Sequence, residues 1–133
     1  MPTPPLAEGI VALRPFVPAR DFQISQQFYR DLGFEVASLG DKIATVGIGT
    51  FAFLLQDYFV QVWADNFVMH MMVNNLDQWW TSIAALDLPA RYGVRAPRPP
   101  KLEPWGLRVA YVFDPAGVLW HFAEEAEPAA PPS

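Results

Sequence analysis

Two stretches of the chain repeat apolar residues at the spacing of an amphipathic helix. Asp21 stands where the first helix would begin and Gly33 where it would end, while Asn75 precedes the second helix. The apolar stripes consist of Ile24, Phe28 and Leu32 in "FQISQQFYRDLG", and of Leu76, Trp80, Ile83 and Leu86 in "LDQWWTSIAALDL". The pattern predicts two amphipathic helices of about three turns each.

Short runs rich in β-branched and aromatic residues surround both helices. "IVALRPFV" precedes the first helix and "FVMHMMV" precedes the second. Three further runs follow each helix: "FEVASL", "KIATVGIG" and "FAFLLQD" after the first, and "RYGVR", "GLRVAYVFD" and "GVLWHFAE" after the second. The order β-α-β-β-β therefore occurs twice, with a period of about 57 residues, which predicts duplication of one supersecondary unit.

The duplicated unit predicts an α+β domain in which each βαβββ module forms a sheet with its helix on one face. We expect one domain over residues 9–125, with modules at about 9–58 and 67–125 joined by a connector at 59–66. Flexible tails are expected at residues 1–8 and 126–133, which are rich in proline. The helix-free faces of the two sheets would enclose a cup for a small molecule.

Composition narrows the possible functions. The 133 residues have a net charge of -5 and only 9 lysines and arginines, which argues against binding to nucleic acid. No apolar run approaches the length of a membrane span and no basic leader opens the chain, so we expect a cytoplasmic protein with no membrane partner. The absence of cysteine removes disulfides and thiolate chemistry, and the sequence contains no phosphate-binding glycine loop and no G-x-S-x-G nucleophile motif.

The segments "VPARDFQISQQFYRDLGFEV" and "PWGLRVAYVFDPAGVLWHF" together resemble the glyoxalase, bleomycin-resistance and extradiol-dioxygenase superfamily, also called vicinal oxygen chelate proteins. The shared features are the Asp before the first helix, "FY..LGF" at its end, and "DP.G" between the last two strands, and the resemblance covers residues 11–124. It implies a cupped mixed sheet built from two βαβββ modules, in a homodimer that often exchanges helices or strands. In the enzymes of the superfamily, His, Gln or Glu side chains of both modules hold a divalent metal in the cup.

The resemblance places the four metal-ligand positions on Arg14, Leu54, Val68 and His121. Of these only His121 can bind a cation, because arginine stays protonated and leucine and valine have no donor atom. We therefore expect a metal-free member without a cofactor. An alternative remains open, in which a displaced divalent metal is held by Gln56, His70 and His121, each of the first two lying two residues from a family position.

Metal-free members of the superfamily include the bleomycin-resistance proteins, which bind an antibiotic and keep it from acting. "EPWG" resembles their tryptophan-bearing entry loop, which gives Trp105 a role in stacking on a planar ligand, and Trp63 in the connector would provide a second wall. Strand alternation points His121 into the cup and turns Trp120 and Phe122 toward a helix.

The "DPAG" turn would pair Phe113 with Val118, which sets Ala110 opposite His121 and turns Arg108 into the cup. The predicted ligand contacts are Trp105, His121, Trp63, His70, Arg108, Phe16 and Arg14. Two arginines in a partly dry cup need acidic partners or an anionic ligand, which counts against bleomycin itself because bleomycin is cationic.

Three hypotheses follow. The first is a metal-independent binding protein of the bleomycin-resistance type that sequesters a planar or aromatic ligand, such as an antibiotic, in the cup between the sheets of a homodimer. The second is a lyase, isomerase or dioxygenase of the same superfamily that uses the displaced metal. The third is a structural or regulatory dimer with a vestigial pocket.

Overall fold

The computed structural model describes residues 5–126. Most of the two predicted tails, residues 1–4 and 127–133, lies outside this range. At the described end of the N-terminal tail, Pro5–Gly9 form a 3-10 turn. No helix in the described part of the chain is long and apolar enough to cross a membrane.

The element order β-α-β-β-β occurs twice, which confirms the predicted α+β class and its two βαβββ modules. The first module consists of β1 Phe16–Pro18, α1 Phe22–Asp31, β2 Glu35–Ser38, β3 Ile43–Ile48 and β4 Phe51–Gln56. The second consists of β5 Val68–Met72, α3 Leu76–Ala85, α4 Leu88–Tyr92, β6 Arg98–Leu102, β7 Leu107–Phe113 and β8 Leu119–Glu125. A short helix that the sequence pattern did not predict, α2 Gln61–Asp65, lies in the connector.

Each module forms a four-stranded mixed sheet with the same topology. The N-terminal sheet has the strand order β1-β4-β3-β2 and the C-terminal sheet the order β5-β8-β7-β6. In both sheets the first strand runs parallel to the fourth, and the remaining neighbours are antiparallel. The first strand of each module is therefore an edge strand, and so is the second.

The helix boundaries follow the predicted caps. The Asp21 carboxylate accepts a hydrogen bond from the Ile24 amide at 3.1 Å, and Gly33 has φ 102° beyond the end of α1. The Asn75 side chain caps α3 in the same way, accepting from the Gln78 amide at 3.2 Å. The predicted stripe on α1 is wrong at Ile24, which is 45% exposed, because the buried face also includes Phe22, Ser25 and Tyr29.

Two predicted strands differ from the structure. The first strand begins at Phe16 rather than near residue 10, so Arg14 precedes it. "RYGVR" is not a strand, since Arg91 and Tyr92 end α4, and the strand lies instead at Arg98–Leu102. That segment contains two adjacent prolines, which a strand tolerates at the edge of a sheet, where one row of backbone groups has no partner.

The helix-covered faces of the two sheets meet in one core. Tyr29 of α1, Phe53 of β4 and Trp120 of β8 pack with ring centroids 5.2 to 5.7 Å apart. The Tyr29 hydroxyl donates to the Asp114 carboxylate at 2.6 Å and accepts from the Trp120 indole N–H at 3.0 Å. The helix-free faces therefore lie on the far sides of the two sheets, and a cup between them would need a second copy of the chain.

Candidate ligand-binding site

The turn between β7 and β8 sets the register of the candidate site. The Asp114 amide donates to the Val118 carbonyl at 2.9 Å, so the loop has three residues and Phe113 pairs with Leu119. The Asp114 carboxylate also accepts from the Val118 amide at 2.9 Å, and Gly117 adopts φ 94°. The predicted pairing of Phe113 with Val118 is wrong by one residue, which turns every side chain of β7 to the opposite face.

Tyr111, rather than Ala110, consequently lies opposite His121 on the helix-free face. Its ring meets the His121 ring edge-on, with centroids 5.1 Å apart, and its hydroxyl donates to the Glu103 carboxylate at 2.8 Å. Burial, followed by the hydrogen bond to Glu103, raises the pKa of the Tyr111 hydroxyl. Tyr111 is thus a neutral hydrogen-bonded aromatic group beside the histidine.

Arg108 lies on the helix-covered face, so its predicted position in the cup is wrong. Its guanidinium pairs with the Asp77 carboxylate at 3.0 Å and with the Glu124 carboxylate at 3.0 Å. The Glu124 carboxylate also accepts from the Leu76 amide at 3.1 Å, at the start of α3. Arg108 therefore ties β7 and β8 to α3 and does not face a ligand on the helix-free face.

Two histidines meet on the helix-free face. The parallel pairing of β5 with β8 puts His70 opposite His121, and their Nδ1 atoms are 3.2 Å apart. At this distance one ring donates its N–H and the other accepts it, so the two neutral tautomers are complementary. Burial lowers the pKa of His121, the neighbouring His70 lowers it further, and Glu103 opposes both.

The pairing continues across the whole C-terminal sheet. His70, His121, Tyr111 and Arg98 occupy neighbouring positions on β5, β8, β7 and β6. We call these four residues the histidine row. The row presents two imidazoles, a phenol and a guanidinium, a combination suited to an aromatic ligand with polar substituents.

The N-terminal sheet has an apolar pair at the equivalent place. Phe16 pairs with Leu54 across the parallel strands β1 and β4, and Phe16 precedes its helix by as many residues as His70 precedes α3. By this internal repeat the positions expected at Arg14 and Val68 fall instead on Phe16 and His70. The register thus corrects both assignments, and it makes His70 the direct neighbour of His121.

These residues do not fit the four-ligand metal site of the superfamily. Phe16 and Leu54 have no donor atom, so the repeat leaves two nitrogen ligands from His70 and His121. Gln56 lies on the same face as Leu54, further along β4 and opposite Ile43. Within residues 5–126 the structure gathers no three His, Cys, Asp or Glu side chains that could hold a metal ion.

The two tryptophans that were predicted to line the site do not contact the aromatic rings of the histidine row. Trp105 lies in the loop between β6 and β7 with 57% of its surface exposed, and Trp63 lies on α2 with 58% exposed. Trp63 packs against Tyr58, with ring centroids 5.9 Å apart. In the described part of the chain neither indole makes an aromatic contact with His70, His121 or Tyr111. Arg14, another predicted ligand contact, is exposed and precedes β1.

Two cavities include residues at opposite ends of the histidine row. The larger, of about 740 Å³, lies at the junction of the modules and reaches Arg98 and Tyr111. The smaller, of about 580 Å³, lies between the β3–β4 hairpin and β5 and includes His70. Its apolar walls come from Phe34, Phe51, Phe53, Met69, Met71, Trp79 and Trp120.

Sequence reasoning missed Tyr111, Glu103 and Arg98. The signal for Tyr111 was the glycine at the end of "DPAG", because a three-residue hairpin loop ends on a residue with positive φ and shifts the register by one. Arg98 and Glu103 carried no comparable signal, since β6 itself was not predicted.

Comparisons with known proteins agree with this architecture. The family model described as "Glyoxalase/Bleomycin resistance protein/Dioxygenase superfamily" matches residues 11–122. A bleomycin-binding protein solved with bleomycin superposes with a TM-score of 0.74 at 20% identity, over 87% of this chain and 99% of that one. The bleomycin-binding protein of bleomycin-producing Streptomyces verticillus, solved with copper(II)-bleomycin, gives a TM-score of 0.71 at 28% identity, over 89% and 98%.

An enzyme structure is also similar in fold. Lactoylglutathione lyase from Agrobacterium tumefaciens superposes with a TM-score of 0.64 at 20% identity, over 86% of this chain and 94% of that one. No curated protein sequence matches the chain significantly.

Proposed function

The chain belongs to the glyoxalase/bleomycin resistance protein/dioxygenase superfamily, and on that premise we propose that it binds and sequesters a planar or aromatic small molecule without a metal, as bleomycin-resistance proteins do. The observation that carries this proposal is the contrast between two equivalent pairs of residues. Phe16 and Leu54 offer only apolar surface where His70 and His121 offer imidazoles. Such a lining suits an organic ligand better than a metal ion.

The contacts follow from the histidine row. The imidazole of His121 and the phenol of Tyr111 present ring edges and polar atoms to a flat ligand, and each aromatic contact contributes about 0.5–1.5 kcal/mol beyond area burial. Trp105, on the exposed loop that precedes β7, supplies an indole that stacks on the ligand from the rim. Trp63 adds a second exposed indole on the connector helix.

A homodimer completes the site in this proposal. Phe16, Val68, Met72 and Leu102 are large apolar residues of the sheets that remain about half exposed in the single chain. The segment before β1 is also apolar and exposed, at Ile10, Val11 and Leu13. Burying these side chains against a second copy is favourable, and it would bring the N-terminal sheet of one copy, with Phe16 and Arg14, against the histidine row of the other.

The oligomeric state is tested by light scattering coupled to gel filtration. We expect a dimer for the native chain and a shift toward monomer when Val11→Asp and Leu13→Asp are combined, because charges on this segment oppose its burial. Glu8→Lys, on the neighbouring 3-10 turn, is the control for a change of charge outside the apolar segment. A native chain that elutes as a monomer at high concentration contradicts the dimer.

Binding itself is tested by tryptophan fluorescence on chelator-treated protein, titrated with bleomycin and with a panel of planar aromatic compounds. We expect saturable quenching by at least one compound, weakened at least about tenfold in His121→Ala and in Trp105→Ala. Trp80→Phe, on α3 and not among the residues that line either cavity, is the control for loss of an indole outside the site. Absence of any saturable binding at high micromolar concentrations contradicts the proposal.

A metal-dependent lyase, isomerase or dioxygenase is the second candidate, and one distance favours it. Two histidine nitrogens bound to one tetrahedral zinc ion lie about 3.3 Å apart, close to the 3.2 Å between His70 Nδ1 and His121 Nδ1. Gln56 would be a third ligand if the second copy brings its strand close. Stoichiometric metal in protein purified without chelator, lost in His70→Ala and in His121→Ala, would establish this candidate and reject the metal-free one.

A further inference from the structure

The larger cavity has a basic rim and an aromatic wall. Arg20 lies in the loop between β1 and α1, Arg95 in the loop between α4 and β6, and Arg98 on β6. Tyr111 and Phe113 of β7 form the wall that continues onto the helix-free face of the C-terminal sheet. The cavity therefore joins three guanidinium groups to the aromatic end of the histidine row.

Aromatic rings orient two of these arginines. The Arg95 Cζ lies 5.0 Å from the centroid of the Phe113 ring, and the Arg20 Cζ lies 5.6 Å from that of Phe59. Arg20 also donates from Nη2 to the Pro115 carbonyl at 2.9 Å. Stacking holds a guanidinium plane in place and leaves its N–H groups directed outward, ready to bind an acceptor.

The three arginines have no acidic partner in the described part of the chain. Arg91, Lys101 and Arg108 each have a carboxylate oxygen within 4.0 Å, whereas Arg20, Arg95 and Arg98 have none among residues 5–126. The protein as a whole has a net charge of -5, so these three guanidinium groups are opposite in sign to most of its charge. The cavity is thus a local region of positive potential on an acidic molecule.

The acidic residues that line the cavity do not neutralise it. The Asp114 carboxylate is buried and accepts hydrogen bonds from the Tyr29 hydroxyl and from the Ala116 and Val118 amides. Asp65 lies on α2 beside Gly117. The lining of the cavity thus includes one exposed aspartate and three arginines.

From this arrangement we infer that the ligand of the site is an aromatic anion. Its ring lies against Tyr111 and Phe113, and its carboxylate, phosphate or sulfonate group accepts hydrogen bonds from Arg95 and Arg98. Arginine is suited to this role because its planar fork of donors matches the oxygens of such groups. The inference rests on the proposed function, which it narrows from planar ligands in general to acidic ones.

Three naphthalene derivatives that share one ring system test the charge preference by isothermal titration calorimetry: naphthoate, naphthamide and naphthylmethylamine. We expect naphthoate to bind the native protein at least about tenfold more tightly than naphthamide, and naphthylmethylamine to bind most weakly. Added salt should reduce the preference for naphthoate, because exposed charges are screened.

Variants that remove charge test whether Arg95 and Arg98 produce the preference for naphthoate over naphthamide. In Arg95→Gln combined with Arg98→Gln, naphthoate and naphthamide should bind with equal affinity, because the charge that favours naphthoate is gone. Arg30→Gln, which removes an exposed arginine from the last turn of α1 outside the cavity, is the matched control and should retain the full preference. Arg95→Lys combined with Arg98→Lys should restore part of it, which separates loss of charge from loss of fold.

The outcomes distinguish this inference from the proposed function. Equal binding of naphthoate and naphthamide to the native protein, or a preference that survives the double Gln substitution, overturns the anion assignment and leaves the binding function standing. Failure of all three compounds, together with the failure of the planar panel, overturns the proposed function and the anion assignment with it.

Discussion

The Nδ1 atoms of His70 and His121 lie 3.2 Å apart across the parallel strands β5 and β8. A single proton suffices for the hydrogen bond between them, since one neutral ring donates and the other accepts. Burial and the neighbouring His70 both disfavour the charged form of His121. The pair therefore has consequences that can be measured without knowing the ligand.

The pKa of His121 should lie below its ordinary value of 6.5, because burial and the neighbouring His70 both disfavour its charged form. We expect nuclear magnetic resonance titration to show this depression, and His70→Gln to raise the pKa of His121 part of the way back, since burial remains. The depressed pKa also means that this group contributes stability above pH 6.5, which is lost as the pH falls from 6.5 through the lower pKa of the folded state. A His121 pKa at or above 6.5 in the native protein would contradict this prediction.

Asp114 should make stability depend on pH in the opposite direction. Burial raises the pKa of its carboxyl from 3.8 to about 6, so the folded state holds a proton that the unfolded state has released. Stability from this group is present below pH 3.8 and is lost as the pH rises toward 6. Relative to Asp114→Asn, the native protein should lose about 3 kcal/mol of unfolding free energy over that window.

Urea denaturation at several pH values measures the Asp114 effect as a difference between native protein and variant, which cancels the contribution of His121. Asp57→Asn, at an exposed position, serves as the control for removal of a carboxyl group. A difference between native protein and Asp114→Asn that is independent of pH would contradict the raised pKa of the Asp114 carboxyl.

Tyr29→Phe should destabilise the fold by about 2–3 kcal/mol, because it removes the hydroxyl that donates to Oδ2 of the buried Asp114 carboxylate and accepts from the Trp120 indole N–H. The loss would appear as a lower urea midpoint with an unchanged slope. Tyr58→Phe, which removes an exposed hydroxyl, is the matched control and should cost little. Equal midpoints for the two variants would mean that the hydroxyl of Tyr29 is not needed to join the modules.

Arg108→Gln should lower stability by about 1 kcal/mol and leave ligand affinity unchanged, since its partners Asp77 and Glu124 lie on the helix-covered side and are partly exposed. Thermal unfolding measures the first effect and calorimetric titration with naphthoate the second. A loss of naphthoate affinity in Arg108→Gln as large as that in the combined Arg95→Gln and Arg98→Gln variant would place Arg108 at the ligand, against the register of β7.

Local patterns in the sequence were sufficient for the helices and the module repeat. Asp21 and Asn75 cap α1 and α3 as predicted, because a cap depends only on the side chain and the amides of the next turn. The burial of Trp120 and Phe122 on the helix-covered face was also predicted correctly, since alternation along one strand needs no partner strand. The superfamily resemblance rested on these same local features and is confirmed.

The composition of the site depended on relationships between strands. Whether Tyr111 or Ala110 lies opposite His121 was decided by a single residue of loop length, and whether His70 or Val68 lies beside it was decided by parallel pairing over a long connection. The proline-containing β6, and with it Arg98, is a strand only because β7 provides a neighbour.

The sequence by itself therefore determined the two long helices with their caps, the order of the repeated module and the buried face of β8. Only the tertiary structure decided which side chains meet: His70 with His121, Tyr111 with Glu103, and Arg108 with Asp77. The physical reason is that hydrophobic periodicity records one face of one element. Register is fixed by hydrogen bonds between elements, and a shift of one residue there exchanges the two faces of a strand.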